Sequence, residues 1–261
     1  MHQFRLFLIA LQFFTRVPVP RWVGFQPEWL NQSARYFPLV GAAVGVWSAA
    51  VLWVALLVFP ATVAVVLAMG ASIWLTGGFH EDGLADTCDG LGGAVSRERA
   101  LEIMKDSRLG SYGALGLFLM LGLKAATLLG LADTDPSLAL WALVWGHLAS
   151  RAAPVWLMHA LPYAGDVAHA KAKPLATQIR RTELVVSLGL VVLASGVWAW
   201  LLPDDIPLLL GAIVTGTGLT LYMQSMLERR LGGYTGDNLG ATQQVVEVGA
   251  LLAFLGLGAV F

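Results

Sequence analysis

Long apolar runs dominate the chain, separated by short polar stretches that alternate between nearly charge-free and charge-rich. Seven runs approach the roughly 20 residues that a membrane-crossing helix needs. They cover residues 36–59, 61–78, 109–132, 137–160, 184–202, 207–226 and 241–261. The second is short and is expected to break at Gly77-Gly78. The last is the least regular, because Gln243, Gln244 and Glu247 enter its first two turns. Before the first run, residues 4–14 are apolar but lead into Thr15-Arg16-Val17-Pro18-Val19-Pro20 rather than a small-residue cleavage site. A retained helix lying in the membrane interface is therefore expected in place of a cleaved signal, with an extended exit imposed by Pro18 and Pro20.

The connections between runs fix an orientation. Arg5, Arg16, Arg21 and Arg35 precede the first run, and Arg97, Arg99, Lys105 and Arg108 follow the second. Lys171, Lys173, Arg180 and Arg181 follow the fourth, and Arg229 and Arg230 the sixth. The other three connections contain neither lysine nor arginine, so fourteen of the sixteen basic residues fall on one side. By the positive-inside rule that side is cytoplasmic, which puts the N-terminus inside and the C-terminus outside. The fold expected is an all-α, polytopic membrane bundle of about seven transmembrane helices plus the interfacial helix. No repeat or linker divides it, so residues 1–261 are read as one catalytic domain.

Composition agrees with the pattern. Charged residues make up 13% of the chain, hydrophobic ones 57%, and mean hydropathy is +0.70. A soluble domain carries about 25% charged residues. The net charge of −1 and the absence of a basic run give no sign of nucleic-acid binding, and none is expected. A single cysteine, Cys88, excludes an intrachain disulfide and a thiolate metal cluster.

The chemistry is concentrated after the second run, in Gly77-Gly78-Phe79-His80-Glu81-Asp82-Gly83-Leu84-Ala85-Asp86-Thr87-Cys88-Asp89-Gly90-Leu91-Gly92-Gly93. Four carboxylates fall within nine residues. If the stretch is helical, Asp82, Asp86 and Asp89 stand at i, i+4 and i+7 on one face. Like charges so placed repel unless a cation sits among them. Oxygen-only ligands suit Mg²⁺ or Mn²⁺ with places left for water and phosphate oxygens. A solvated acidic loop is the plainer alternative, but it would not need the interleaved Phe79, Leu84, Ala85 and Leu91. Gly83 and Ala85 leave room for a substrate or a neighbouring helix.

Three further clusters are candidates. Met104-Lys105-Asp106-Ser107-Arg108 offers cations for phosphate oxygens, with Asp106 a ligand or an orienting partner and Ser96 a cap for a short helix before it. Ordinary interfacial charge explains the basic residues here equally well. Gly232-Gly233-Tyr234-Thr235-Gly236-Asp237-Asn238 leads into a helix start carrying Gln243 and Gln244, a plausible phosphate cradle or simply an interhelical turn. Glu247 and the two glutamines are expected in a site or a polar interhelical network rather than facing lipid. Inside the runs, Lys124 is read as structural, snorkelling to the outer end of its helix. Arg151 is the better candidate to reach a phosphate, with His147 packed beside it. His80 is expected to hydrogen-bond a neighbouring carboxylate or act as a base.

The run GGFHEDGLADTCDGLGG resembles the signature of cobalamin synthases, the adenosylcobinamide-GDP ribazoletransferases. Phe14–Pro20, Phe37-Pro38-Leu39-Val40-Gly41, the stretch 100–110 and the stretch 234–244 look like that family too, in its usual order. Phe79 and Cys88 depart from the expected small or apolar types without touching a ligand. The resemblance implies the last stage of cobalamin nucleotide-loop assembly in a prokaryotic cytoplasmic membrane, with Mg²⁺ required. Adenosylcobinamide-GDP and α-ribazole, or its 5′-phosphate, would be the substrates. Asp82, Asp86 and Asp89 are then expected to hold the metal, and Glu81 to complete the shell or take the hydroxyl proton, with Asp106 in the catalytic set. His80, Lys105, Arg108, Arg151, Asp237, Asn238, Gln243 and Gln244 are expected to contact substrate. Self-association, or association with other corrinoid-assembly enzymes, is left open. The acidic run also echoes CDP-alcohol phosphotransferases, the nearest alternative, although their Ala-Arg pair and distant aspartates are missing. A transporter or a non-catalytic scaffold would show no metal-dependent turnover.

Overall fold

The computed structural model describes residues 1–165 and 179–258. Lys171 and Lys173 of the third basic connection lie outside these, as do the last three residues of the seventh run. Twelve α-helices occupy the described residues, which contain no β-strand beyond an isolated bridge between Tyr163 and Tyr234.

Helix α1, His2–Phe14, is too short to span a bilayer and buries Leu6, Ile9, Ala10 and Phe14 against its neighbours. After the extended prolines, α2 (Pro27–Ser33) leads into α3 (Phe37–Leu56), where Pro38 sits in the first turn and its missing N–H costs nothing. Helix α4 (Ala61–Thr76) then stops at the expected place. Gly77 and Gly78 both take φ of +73°, a left-handed conformation natural to glycine, and α5 (Phe79–Leu91) leaves at 89° to α4. Helix α6 (Arg97–Lys105) is capped by Ser96, whose side chain accepts the Arg99 N–H. Helix α7 (Ser111–Thr134) returns through the bundle, and Asp135 caps α8 (Pro136–Ser150) by accepting from the Ser137 and Leu138 amides. The rest comprises α9 (Ala152–Ala160), α10 (Arg181–Leu201), α11 (Ile206–Leu231) and α12 (Gly236–Gly258).

Five helices, α3, α7, α10, α11 and α12, are long and apolar enough to cross a membrane, and α4 with α5 passes only as a bent pair. The count of about seven spans is thereby reduced to five or six. The fourth expected span is broken at Arg151 into α8 and α9, each too short alone. Pro154 explains the break, because it has no N–H for the Ser150 carbonyl and its ring clashes there. The Arg151 guanidinium instead donates to the His147 carbonyl at 2.8 Å.

Helix α12 is the centre of the bundle. Over its most apolar stretch 72% of its residues are buried, against 22% in α7 and α10. Helix α3 crosses α8 closely: a Cβ on Gly41 would overlap the His147 carbonyl, and one on Gly45 would lie 2.8 Å from the Val144 Cα. Outside, Phe118, Leu119, Val192, Trp200 and Val214 present large apolar side chains without cover. A water-facing surface rarely tolerates that much exposed hydrocarbon. The protein is a multi-pass membrane protein.

Candidate active site

Helix α5 is amphipathic in an unusual sense. His80, Gly83, Leu84 and Thr87, spaced three and four apart, form its buried face against α12 and α1. Asp82, Asp86 and Asp89 occupy another face, with Asp82 exposed and the other two part-exposed. The expected helix and its acidic stripe are therefore present. The stripe does not close on one point, and among the described residues no three His, Cys, Asp or Glu side chains converge as a metal site. Seven residues of helix rise about 10 Å, so Asp82 and Asp89 are too far apart along the axis to share one ion. Asp86 is the member that either neighbour can join.

Asp89 has a second task. Its carboxylate accepts the Gly110 N–H at 2.7 Å and the Gly113 N–H at 2.8 Å, and so caps the start of α7. Both glycines are required at that distance, since a Cβ on either would sit 2.4 Å from an Asp89 oxygen. Asp89 also lines an open polar bowl of about 490 Å³ with Arg99, Glu102, Asp106, Arg108 and Gly110. In this bowl Asp106 orients Arg108 through both carboxylate oxygens, at 2.6 to 3.1 Å. Those bonds raise the guanidinium's already high pKa. Lys105 is exposed in the last turn of α6. Arg99 and Glu102, paired at 2.7 Å, were not singled out by sequence. Their spacing of three on a capped helix is the signal that points them the same way.

The other end of α5 meets α12. A Cβ on Gly83 would lie 2.7 Å from the Asp237 carbonyl oxygen, and one on Gly240 would lie 3.2 Å from the His80 carbonyl oxygen. The room that Gly83 leaves is thus filled by a helix, not a substrate. Asn238 is fully buried in this contact, donating to the Thr87 hydroxyl and accepting the Thr235 N–H, both at 3.0 Å. Asp237 is part-exposed beside it. Tyr234 is buried against Tyr163, and burial pushes its phenol pKa up, whereas Tyr112 is exposed over Gly92. Arg230, read from sequence only as an inner basic residue, donates to the Leu91 and Gly93 carbonyls and covers the C-terminal end of α5.

Expectations for four residues need correction. Among the described residues His80 makes no bond to a carboxylate: it is 3% exposed and stacks on Phe14, ring centroids 5.4 Å apart. Its place on the helix, next in chain to Glu81, turns it toward the bundle. Lys124 does not snorkel, because it is 2% exposed and its ammonium lies 2.5 Å from Glu247. His147 likewise does more than pack, with Nδ1 3.0 Å from the same carboxylate. Arg151 is buried among these groups, and the cavity it shares with His80, Gly236 and Gly240 is about 20 Å³, room for a water but not a phosphate. Gln243 and Gln244 are buried in the polar interhelical network expected for them, and Gln244 donates to Glu81 at 3.1 Å.

The sequence profile of the cobalamin-5-phosphate synthase family matches residues 6–255, from α1 to near the end of α12. The chain belongs to that family. A relative from Leptothrix cholodnii is 59% identical over 254 residues, covering 97% of this chain and 96% of its own. Relatives from Shewanella piezotolerans and a Polaromonas species are each 47% identical, over 257 and 268 residues. They cover 98% and 94% of this chain, and 97% and 94% of their own lengths. All three are named adenosylcobinamide-GDP ribazoletransferase. No solved structure matches the chain. Membership of the cobalamin-5-phosphate synthase family rests on the whole bundle rather than on the acidic run alone, and it does not favour the CDP-alcohol reading.

Proposed function

We propose that the protein is an adenosylcobinamide-GDP ribazoletransferase acting at the cytoplasmic face of a prokaryotic inner membrane. It joins adenosylcobinamide-GDP to α-ribazole or its 5′-phosphate, giving adenosylcobalamin or its 5′-phosphate and GMP. The observation that carries this reading is the acidic stripe of α5, whose last member Asp89 lines a polar bowl, in a chain so similar to proteins of that name. In the transfer, the ribazole 3′-hydroxyl oxygen bonds to the phosphorus attached to cobinamide. The bond from that phosphorus to GMP breaks, and Glu81 takes the hydroxyl proton.

The donor chemistry fits Mg²⁺. Asp82 and Asp86 offer hard oxygens, while the softer donors are turned aside, Cys88 onto Gly116 and His80 onto Phe14. One or two carboxylates suffice for an ion that completes its shell with waters and substrate phosphates. We assign Asp82 with Asp86, and Asp86 with Asp89, as neighbouring ligand pairs. Mg²⁺, when bound, neutralises the diphosphate and stabilises the charge that develops on the departing phosphate. Arg108, steadied by Asp106, together with Arg99 binds anionic oxygens at the bowl, and Lys105 adds positive charge at the end of α6. Purified protein in detergent should release GMP from adenosylcobinamide-GDP only when α-ribazole and Mg²⁺ are both present. Release of CMP from a CDP-alcohol, or uptake without bond cleavage, would replace this reading.

A further inference from the structure

A continuous chain of buried polar groups runs from the middle of the bundle to the acidic helix. At its inner end Lys124 of α7 and His147 of α8 both face Glu247 of α12, at 2.5 and 3.0 Å. Arg151 stands 4.0 Å from the same carboxylate. Gln243, one turn before Glu247, donates its amide to that carboxylate and to the Ser150 hydroxyl. Gln243 in turn accepts from Gln244 at 3.0 Å, and Gln244 donates to Glu81 at 3.1 Å. None of Lys124, His147, Arg151, Gln243, Gln244 and Glu247 is more than 3% exposed.

Charges at this depth are costly, and well-packed apolar side chains commonly stabilise a fold as well or better. What the arrangement supplies is direction. An ionised carboxylate only accepts hydrogen bonds, whereas a glutamine amide donates at one atom and accepts at the other. Glu247 is already met by the Lys124 ammonium and His147 Nδ1, and Gln243 presents its NH₂ to the same carboxylate and therefore its oxygen to Gln244. Gln244 must then present its NH₂, and its second N–H falls to Glu81. The opposite orientation of either amide would set oxygen against oxygen. The relay ends with two buried oxygens that have no hydrogen-bond partner among the described residues, Glu81 Oε2 and Gln244 Oε1. Both can accept a hydrogen bond, and neither receives one from the described residues.

We propose that Glu247, Gln243 and Gln244 are positioning residues for the transfer reaction. Anchored by Lys124, they fix one oxygen of Glu81 and leave Oε2 to accept a hydrogen bond from the attacking hydroxyl of the acceptor nucleoside. This inference rests on the transferase reading given above and on Glu81 as the group that receives the hydroxyl.

The test is a variant series assayed by Mg²⁺-dependent GMP release, with size-exclusion elution and thermal unfolding in detergent confirming the fold. Gln243→Leu cuts the relay but leaves the Lys124–Glu247 pair in place. It should lower kcat about tenfold or more while KM for adenosylcobinamide-GDP and the Mg²⁺ half-saturation stay within about twofold. Lys124→Met with Glu247→Leu removes both charges together and should lose a similar factor. Lys124→Met with Glu247→Gln restores an acceptor oxygen for Gln243 and should recover about half or more of the lost rate, on a logarithmic scale. Glu81→Gln combined with Gln243→Leu should be no slower than Glu81→Gln alone, because both act on one contact. Multiplicative losses in that double variant, or a Gln243→Leu defect confined to KM, would overturn the proposal. So would a folded Glu81→Gln protein with ordinary kcat, since nothing would remain to be positioned. Absence of GMP release from the unaltered protein would instead sink the transferase reading itself.

Discussion

Gly83 rests directly on the backbone of Asp237, so closely that a single added methyl would lie 2.7 Å from a carbonyl oxygen. That contact is where the acidic helix meets the central helix, and neither backbone can give way cheaply. Gly83→Ala should therefore destabilise by about 1–3 kcal/mol, as overpacking does. Gly70 is also within a helix but has nothing within 4 Å of the site of its missing methyl. Gly70→Ala should leave stability unchanged or raise it by up to about 1 kcal/mol. Thermal unfolding of the two variants in the same detergent checks the contrast, and equal shifts would contradict it.

Asp82 and Asp89 belong to one stripe yet should separate by assay. Asp89 is fastened to two backbone amides at the start of α7, whereas Asp82 is exposed. Asp89→Ala should lower stability by about 1–3 kcal/mol as well as activity, because two amides lose their acceptor. Asp82→Asn should unfold like the parent protein and show its defect as a raised Mg²⁺ requirement, about tenfold or more. Unfolding curves measured beside Mg²⁺ titrations of GMP release distinguish the two.

Metal preference follows from which side chains face outward. Chelation should abolish turnover, and both Mg²⁺ and Mn²⁺ should restore it, since both accept carboxylate and phosphate oxygens. Zn²⁺ should restore little, because Cys88 packs on Gly116 and His80 stacks on Phe14. Turnover in chelated protein supplied with each ion in turn is the measurement.

Arg35 reaches across to the start of α10 and binds Glu183 at 2.7 Å, where the glutamate side chain is only 4% exposed. Removing one partner of a buried pair strands the other charge. Arg35→Met should cost about 3 kcal/mol or more, and adding Glu183→Gln should return most of it. A double-mutant cycle on unfolding temperature reads the coupling. Additive losses would show that the pair contributes little.

The parts of this fold that follow from local rules were legible in the sequence. Apolar run lengths located the long helices, two adjacent glycines marked the α4–α5 turn, and the spacing of Asp82, Asp86 and Asp89 gave the acidic face. Ser96 announced α6. The break at Arg151 was readable from Pro154 three residues later, but the apolar run around it masked the signal. Lys124 was misread for a different reason. Its partner Glu247 is 123 positions away, and no periodicity reports a contact between α7 and α12. The orientation of His80 depended on which side of α5 the neighbouring helices would take. Arg99 and Arg230 read in sequence only as inner basic residues, and it is the fold that brings them, with Glu102, to the C-terminal end of α5.

Helix α5 is fastened along its length. Gly83 sits on Asp237, Thr87 on Asn238 and Glu81 on Gln244, while Asp89 holds the start of α7 and Arg230 grips the last carbonyls. Swinging this helix aside would break contacts to α7, α11 and α12 at once. The opposite wall of the bowl, α6 and the turn through Arg108, buries only Ala100 and Met104 from its helix. Any widening of the bowl on the α6 side would therefore leave the carboxylates stationary, since the contacts that hold α5 lie elsewhere.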